Sequence, residues 1–294
     1  MRPWERKEKL KVFFLIFLLF LSFLTVTLGL STTQAATVPI KPQQALEYKV
    51  VRQQLTQGGM LLGKVSPDVK VFLDQRQIEV TSRGFWLIAF GRDALLEHKI
   101  KLLSSKGEER VVFITLKPRR YDIQEVTGID PSQVEPDEGL QKRIAEENKK
   151  VIEAREVFSK NNYFLESFSW PAKGPLSGFY GSQRVFNGIP KQPHYGLDIA
   201  APKGALVKAP AGGKVTLVYR TMFLAGNLII LDHGMGLSSS FLHLDSISVK
   251  LGQTVKRGQM IGTVGQTGRA TGPHLDWRIN WFQERIDPLL WMKK

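Results

Sequence analysis

The sequence contains no cysteine among its 294 residues, and this absence narrows the chemistry available to the chain. Thiol nucleophiles and cysteine-ligated zinc are excluded, so a bound metal ion would have to be held by His, Asp or Glu side chains. The compartment stays open, because an exported protein with a sufficient hydrophobic core needs no disulfide bonds. Histidine is also scarce, with five in the whole chain, so the positions of these five are informative.

Acidic residues are few, since the chain has 27 Asp and Glu against 41 Lys and Arg, and its formal net charge is +14. A protein with this charge is attracted to polyanions, such as anionic polymers of a cell envelope, a membrane surface or nucleic acid. The sequence has no helix-turn-helix, zinc-finger or ribonucleoprotein signature, which argues against nucleic acid. An anionic envelope polymer or membrane surface is therefore the expected partner of the basic charge.

The first 36 residues differ from the rest of the chain. Basic residues up to Lys11 precede an apolar run over 12–30, and small residues follow at Ala35 and Ala36. This order is typical of a signal peptide over 1–36, which predicts export to the periplasm or cell envelope. An uncleaved membrane anchor at 12–30 is the alternative, although the run is short for a bilayer span. The leader has five basic and two acidic residues, so the remainder keeps a formal charge of +11.

Residues 37–120 are predicted to form a small β-sandwich domain of immunoglobulin-like type. Short apolar runs alternate with turn residues such as Gly58-Gly59 and Lys106-Gly107, at a spacing that suits a compact sandwich. The predicted strands lie at 60–62, 69–73, 85–90, 100–103 and 111–116. His98 stands alone among charged residues and is interpreted as a surface side chain.

Residues 121–168 are predicted to be a linker that includes a helix. Prolines and acids, as in Glu135-Pro136-Asp137-Glu138, indicate a connector up to Gly139. From Leu140 to Phe158 apolar residues recur at near-helical spacing, while charged residues of both signs occupy the other face. We interpret this helix as a strut between two domains, with a solvated charged face.

Residues 169–294 are rich in glycine and predict a second domain of antiparallel β-structure, so the whole chain is predicted to be mostly β. The predicted strands lie at 215–218 and 228–231, with shorter ones over 249–262. The rhythm at 249–262 is similar to that of a biotinyl or lipoyl carrier barrel. Neither Lys250 nor Lys256 has the hairpin setting of a modified lysine, so a carrier function is rejected.

Four of the five histidines lie between positions 194 and 274. His194 and Asp198 would share a face of an ideal strand about 13 Å apart, which is too far to bind one ion. Gly196 permits the bend that would bring these two side chains together. His274 and Asp276 are two residues apart, so on a strand both side chains would lie on the same face.

The other two histidines of this group are interpreted differently from each other. His243 lies in an apolar strand, where a lone histidine is more often a satisfied core residue. With the two His and Asp groups in the same domain, we interpret His243 as catalytic. His233 precedes a glycine turn and is interpreted as structural, with a place directly behind the metal ligands as the alternative.

These groups belong to an ordered series of motifs. The series consists of Gly181-Ser182-Gln183-Arg184, His194-x-x-x-Asp198, Asp232-His233-Gly234, His243-Leu244, Val255-x-x-Gly258-x-x-Ile261-Gly262, Gly268-x-x-Thr271-Gly272-Pro273-His274-Leu275 and Asp287-Pro288. In this order the motifs resemble the lysostaphin and LytM-type zinc metallopeptidases, which are peptidoglycan endopeptidases. The resemblance implies that the Gly-rich domain is a catalytic domain of the lysostaphin and LytM type.

The resemblance also implies a role for each site residue. His194 and Asp198 would bind Zn²⁺, and His243 and His274 would be the catalytic histidines. The family closes with an H-x-H motif whose second histidine is the third metal ligand, but in this chain that position is Asp276. Asp276 is an acceptable zinc ligand. Because a second carboxylate reduces the positive charge left on the ion, we expect reduced activity, a higher pH optimum or a preference for Mn²⁺.

The sequence therefore predicts an exported, zinc-dependent endopeptidase that cleaves peptide cross-links of peptidoglycan with metal-activated water. Cleavage between D-alanine and diaminopimelate is favoured over glycyl-glycine cleavage, because no wall-anchoring repeat is visible. The alternative is a degenerate, non-catalytic member that binds cell wall or activates a wall amidase. Asp276 is the feature that supports this alternative, since the other four site residues are present.

Overall fold

A computed structural model of the protein describes residues 46–292. The predicted signal peptide over 1–36 and the candidate anchor at 12–30 lie outside the described residues. Within 46–292, no helix is both long and apolar enough to cross a membrane. These residues belong to a single unit, so contacts between its N-terminal and C-terminal parts can be described directly.

The N-terminal part consists of antiparallel strands in two sheets. The strands are β1 (Lys49–Gln54), β2 (Met60–Lys64), β3 (Lys70–Leu73), β4 (Arg76–Ile78), β5 (Phe85–Ala89), β6 (Glu97–Leu103) and β7 (Glu109–Thr115). One sheet has the order β1-β2-β5 and the other the order β4-β3-β6-β7. Apolar residues alternate with polar ones along β6, so Ile100 and Leu102 enter the core together with Trp86 of β5. The predicted N-terminal β-domain is confirmed.

The rest of the chain contains the linker and a larger β-domain. The linker elements are β8 (Ile123–Val126), α1 (Pro131–Val134), α2 (Glu138–Glu156) and a 3₁₀ helix (Tyr163–Leu165). The C-terminal elements are β9 (Leu176–Gly178), β10 (Gln183–Phe186), β11 (Ile189–Pro190), β12 (Leu197–Ala200), β13 (Leu206–Lys208), β14 (Gly213–Met222), β15 (Gly226–Gly234), β16 (Leu237–Ile247), β17 (Thr254–Val255), β18 (Met260–Val264), β19 (His274–Trp281), β20 (Glu284–Ile286) and α3 (Pro288–Met292). The prediction of a mostly β chain is confirmed.

Most C-terminal strands belong to one sheet, whose main path has the order β17-β14-β15-β16-β19-β12-β9. β18 pairs with β13 and β16, and β20 pairs with β19. Along β19, Leu275 and Trp277 are completely buried and face the core. Because side chains alternate along a strand, His274, Asp276 and Arg278 lie together on the opposite face of β19. The hydrophobic pattern of this strand therefore positions three polar side chains side by side.

The linker is joined to the C-terminal domain by backbone pairing. β8 pairs in parallel with β10, with Ile123 opposite Gln183. Arg269 of the C-terminal domain donates a hydrogen bond to the carbonyl oxygen of Gln133 in α1, at 2.9 Å. The predicted connector thus includes a strand and a helix turn that are held against the C-terminal domain, which the proline and acid content of this segment did not indicate.

The predicted linker helix is present as α2, but its position differs from the expected strut. Ala154 packs in a cluster with Ile230 of β15, so the helix lies on the C-terminal sheet. The prediction of a solvated charged face is wrong at Glu147, which is 7% exposed. The Glu147 carboxylate accepts a hydrogen bond from the backbone N–H of Phe223 at 2.8 Å, which compensates its burial. Arg155 is buried too, at 4% exposed.

Candidate metal centre

The three side chains predicted to bind a metal ion lie together. His194 precedes β12, Asp198 lies on β12, and Asp276 of β19 is directly opposite Asp198 in the strand register. One ligand atom from each of the three residues lies within 4.8 Å of the others. The closest pair is His194 Nε2 and Asp198 Oδ1, at 3.1 Å. The residues are 5%, 6% and 2% exposed, so this cluster is buried and compact enough to share one ion.

Two glycines make room for the carboxylates. A Cβ atom at Gly196 would collide with Oδ1 of Asp276, and a Cβ atom at Gly178 would lie 2.7 Å from Cγ of Asp198. Gly196 does not adopt a positive φ, so its main contribution is this close approach and not a left-handed bend. The two glycines therefore let neighbouring strands bring two carboxylates to one point.

The donor atoms of the cluster suit a divalent cation. Within residues 46–292, His194 Nε2 and Asp198 Oδ1 are buried and face each other at 3.1 Å, with no hydrogen bond to any other group. When Nε2 carries no proton, both atoms are acceptors that cannot satisfy each other, and an unsatisfied buried acceptor is unfavourable by about 1–3 kcal/mol. A bound cation would accept a lone pair from each atom, and imidazole nitrogen and carboxylate oxygen are common zinc ligands. The side chains present therefore fit the metal that the resemblance implies.

Each carboxylate of the cluster is paired with an arginine. Arg184 donates from Nη2 to Asp198 Oδ2 at 2.6 Å, which leaves Asp198 Oδ1 on the side of His194. Arg278 donates to both oxygens of Asp276, at 3.0 Å from Nε to Oδ1 and 2.5 Å from Nη2 to Oδ2. The two guanidinium groups thus balance the two carboxylates, and Arg278 compensates the extra negative charge of Asp276.

No role for Arg184 or Arg278 was predicted from the sequence. Arg184 belongs to one of the motifs of the series, but its spacing from Asp198 does not reveal their contact. A signal for Arg278 was available, because it follows Asp276 by two positions and therefore lies on the same face of the strand.

The electrostatics of the cluster keep both carboxylates charged. Burial raises the pKa of Asp198, but the neighbouring His194 and Arg184 side chains outweigh burial and hold this pKa well below its usual range. Burial likewise raises the pKa of Asp276, yet Arg278 and His194 bring it down to about 2. Both side chains are therefore carboxylates at neutral pH, which is the state that binds a cation.

The two predicted catalytic histidines lie beside each other. The ring centroids of His243 and His274 are 4.8 Å apart. Nδ1 of His243 lies 2.7 Å from the carbonyl oxygen of Thr267, and Nδ1 of His274 lies 2.8 Å from that of Gly272. A carbonyl oxygen only accepts, so each Nδ1 is protonated and each neutral ring keeps its lone pair on Nε2. His274 Nε2 is 3.9 Å from Asp198 Oδ1, which places this nitrogen next to the metal cluster.

His243 has two features that set it apart from an ordinary strand residue. Its φ is +62°, a left-handed conformation that is uncommon outside glycine, and its N–H donates to the carbonyl oxygen of Ala225 at 3.0 Å. Burial lowers the pKa of His243 to about 4, so its imidazole is neutral at neutral pH. A neutral imidazole with a free Nε2 can accept a proton.

His233 makes its contacts elsewhere. It is completely buried, its Nδ1–H donates to the carbonyl oxygen of Gly212 at 2.7 Å, and its Nε2 accepts from the hydroxyl of Ser239 at 2.8 Å. Both ring nitrogens are thus used within the core. These contacts agree with the structural interpretation of His233.

A buried group of one histidine and two carboxylates, with two further histidines beside it, is the kind of site that metal-dependent hydrolases use. Residues 192–288 match the family model described as Peptidase family M23. Residues 192–288 therefore form a domain of the M23 type, in agreement with the resemblance to the lysostaphin and LytM-type peptidases. The resemblance found in the motifs is confirmed.

Curated relatives and solved structures extend this result. The C-terminal domain is 47% identical over 87 residues to peptidoglycan DD-endopeptidase ShyB of Vibrio cholerae, and 45% identical over 87 residues to ShyA of the same organism. Each match covers 30% of this chain and 20% of the relative's length. A crystal structure of a Pseudomonas aeruginosa protein described as a peptidase M23 aligns with a TM-score of 0.64 and 29% identity, and covers 81% of this chain and 95% of that one. The shared architecture therefore extends beyond the C-terminal domain.

Proposed function

We propose that this protein is a metal-dependent endopeptidase that cleaves the peptide cross-links of peptidoglycan. The observation that carries the proposal is the convergence of His194, Asp198 and Asp276 in a buried cluster whose ligand atoms lie within 4.8 Å of one another. The names of the relatives ShyA and ShyB support peptidoglycan as the substrate and a DD-endopeptidase as the activity. The bond between D-alanine and diaminopimelate is the proposed point of cleavage.

In this proposal three site residues bind the metal ion and one of two histidines transfers the proton. His194 and the two carboxylates hold Zn²⁺, or Mn²⁺ if the second carboxylate favours a harder ion. A divalent cation bound there supplies Lewis-acid polarisation of the scissile carbonyl and of the attacking water. One of the two imidazoles, that of His243 or His274, accepts one proton of the water on Nε2 and returns it to the leaving amine. The carbonyl oxygens that bind each Nδ1–H keep both rings in the tautomer that this role needs.

Export is the second element of the proposal. Peptidoglycan lies outside the cytoplasm, so the signal-like leader over 1–36 supports a periplasmic or envelope location. The formal charge of +11 that remains without the leader supports attraction to anionic polymers of the same compartment.

A second candidate function is a non-catalytic member that binds cell wall or activates a wall amidase. The observation that favours it is the ion pair of Asp276, whose two oxygens already accept hydrogen bonds from Arg278. If this ion pair prevents Asp276 from binding a metal ion, the site has two protein ligands and not the three that catalytic zinc sites use.

The two candidates differ in metal content and in product release. The full chain is purified, its bound metal is counted by mass spectrometry, and purified sacculi are digested and their soluble muropeptides identified. For the wild type we expect one divalent ion per chain and release of peptides cut after D-alanine. His194→Ala should lose both properties. His98→Ala is the matched control, because it removes a histidine of the N-terminal sheet that contacts Asp74.

Each possible result favours one candidate. Folded wild type without metal and without release would support the non-catalytic candidate. Asp276→Ala with wild-type metal content and activity, beside an inactive His194→Ala, would show that the ligand role of Asp276 is wrong while the endopeptidase proposal stands.

A further inference from the structure

Two consecutive turns after β16 have the same sequence pattern and the same conformation. Residues 249–253 and 255–259 both read Val-Lys-x-Gly-Gln. In each turn the lysine N–H donates to the glutamine Oε1 at 3.0 Å, and the glycine has a φ of +80°. The lysine and the residue after it are exposed in both turns, as Lys250-Leu251 and Lys256-Arg257. The repeat therefore presents two neighbouring tips on the surface.

Strand pairing brings two more lysines to these tips. Lys208 of β13 is opposite Met260 of β18, directly after the second turn, and Lys214 of β14 is opposite Thr254 of β17, between the two turns. Lys208 and Lys214 are both exposed. We define the basic edge as the five cationic residues Lys208, Lys214, Lys250, Lys256 and Arg257.

The basic edge has little negative charge around it. Residues 246–275 contain no Asp or Glu, and within the described part of the chain none of the five cations forms an ion pair. Two carboxylates lie on neighbouring elements: Glu166 accepts from the N–H of Gly212 at 2.9 Å, and Asp232, opposite Lys214 in the strand register, is 2% exposed and accepts from the hydroxyl of Ser159. Asp245 on β16 is paired with Lys203 at 3.1 Å. The edge thus presents a positive potential to solvent.

Large apolar side chains are exposed on the same edge. Leu251, at the tip of the first turn, is 69% exposed, Leu206 of β13 is 53% exposed, and Met260 of β18 is 43% exposed. Binding to a soluble polyanion would be stabilised by the cations alone and would leave the apolar side chains in water. Binding to a bilayer surface is stabilised by both, because the cations bind lipid phosphates and the apolar side chains enter the headgroup region.

We propose that the basic edge docks on a bilayer surface that carries anionic phospholipids. A bilayer surface is inferred as the partner because five cations without ion pairs lie beside three exposed apolar side chains. β17 lies at one end of the sheet path, and β18 pairs with β16, the neighbour of the site strand β19. None of the five cations is a proposed metal ligand or catalytic histidine, so the proposal is independent of the endopeptidase activity.

Vesicle binding by the full chain tests the role of the cations. The binding constant is measured for vesicles of phosphatidylcholine with and without phosphatidylglycerol, for the wild type and for the combined variant Lys208→Gln, Lys250→Gln, Lys256→Gln and Arg257→Gln. Each charge near an anionic surface contributes roughly a fivefold effect on binding. We expect the variant to lose at least about 30-fold of the binding that depends on phosphatidylglycerol. Residues 1–45 are present in every protein, so their own membrane affinity cancels in the comparison.

A charge-matched control separates the basic edge from net charge. The variant Lys64→Gln, Lys70→Gln, Lys99→Gln and Lys106→Gln removes the same number of exposed cations from the N-terminal domain. It should keep nearly all of the phosphatidylglycerol-dependent binding. Equal losses in the two variants would overturn the proposal, because binding would then follow from total charge.

A position-specific probe tests the role of the apolar tips. The chain has no cysteine, so Leu251→Cys or Leu95→Cys can be labelled at one site with a polarity-sensitive fluorophore. Leu95 is 77% exposed and lies in the N-terminal part. We expect a blue shift with phosphatidylglycerol vesicles for the label at 251 but not at 95. Equal shifts at both positions, or no shift at 251 beside strong binding to a soluble anionic polymer, would refute docking on a bilayer.

Discussion

Replacing Arg278 by glutamine tests how the site accommodates a second carboxylate. Arg278 is the cation that pairs with both oxygens of Asp276, and Asp276 lies opposite Asp198 in the strand register. Without the guanidinium, the two carboxylates would be close together in a buried place, and Asp198 alone would keep an arginine partner, Arg184. A bound divalent cation would supply the missing positive charge, so the effect of the substitution should depend on metal.

The magnitude follows from burial. Removing one partner of a fully buried ion pair is unfavourable by about 3–5 kcal/mol. The Asp276 side chain is 3% exposed but that of Arg278 is 23% exposed, so water screens part of the effect. We expect the metal-free variant to lose about 2 kcal/mol of its free energy of unfolding. Because a bound cation removes the repulsion that destabilises the metal-free variant, the variant should bind the ion more tightly by nearly the same free energy. This corresponds to roughly a 30-fold lower Kd for the ion.

The assay is urea unfolding in a chelator and in saturating Zn²⁺, together with a competition titration for the metal Kd. Arg143→Gln is the matched control, since Arg143 pairs at 2.9 Å with the buried Glu147 away from the site and should lose the same stability in both conditions. The double variant Asp276→Asn, Arg278→Gln should recover the metal-free stability, because no unpaired charge is buried. If Arg278→Gln loses equal stability with and without metal, or binds metal more weakly, Arg278 is a packing residue and the charge argument is wrong.

Three further predictions concern other parts of the fold. Gly178→Ala should weaken metal binding at least about tenfold, because the new Cβ displaces Asp198, whereas Gly272→Ala, with open space around it, should not. Burial lowers the pKa of His233 to about 4 in the folded chain, against 6.5 in the unfolded chain. As the pH falls below 6.5, the unfolded chain binds a proton that the folded chain does not, so the free energy of unfolding decreases until about pH 4. Glutamine offers one donor and one acceptor but does not titrate, so His233→Gln should show a smaller loss in urea midpoint between pH 7 and pH 5. An unchanged loss would contradict this assignment. Arg155 is 4% exposed, and its Nε has no hydrogen-bond partner within the described residues. Arg155→Met should therefore raise the free energy of unfolding by about 1 kcal/mol or more. A decrease of that size would show that the other contacts of the guanidinium compensate its burial.

The ligand cluster could be predicted from the sequence because metal binding restricts residue types strongly. Few side chains bind a divalent cation, and four of the five histidines occur in one domain at strand-compatible spacings. The strand pairing that joins Asp198 to Asp276 is not visible in the sequence, since it connects segments separated by most of the C-terminal domain. The pairing of Arg278 with Asp276 depends on side-chain rotamers, so the shared strand face was a necessary but not a sufficient signal.

The linker shows where local patterns are insufficient. Helical periodicity predicted α2 correctly, because apolar spacing is a local feature. The N-cap at Asp137, which accepts from the N–H of Leu140, was not predicted. The charge pattern of α2 did not reveal that Glu147 is buried, because that depends on the N–H of Phe223, a partner distant in sequence. The same limit applies to β8, whose pairing with β10 is a tertiary contact and leaves no trace in composition.

The pairing of β8 with β10 bears on where this protein can be divided. A fragment that starts at residue 169, where the composition changes, would retain every predicted metal ligand but would lack β8. The strand that carries Arg184 would then have an unpaired edge, and the guanidinium that binds Asp198 would be anchored less firmly. An autonomous peptidase fragment should therefore begin before Ile123, so that the functional boundary lies within the segment that sequence composition describes as a spacer.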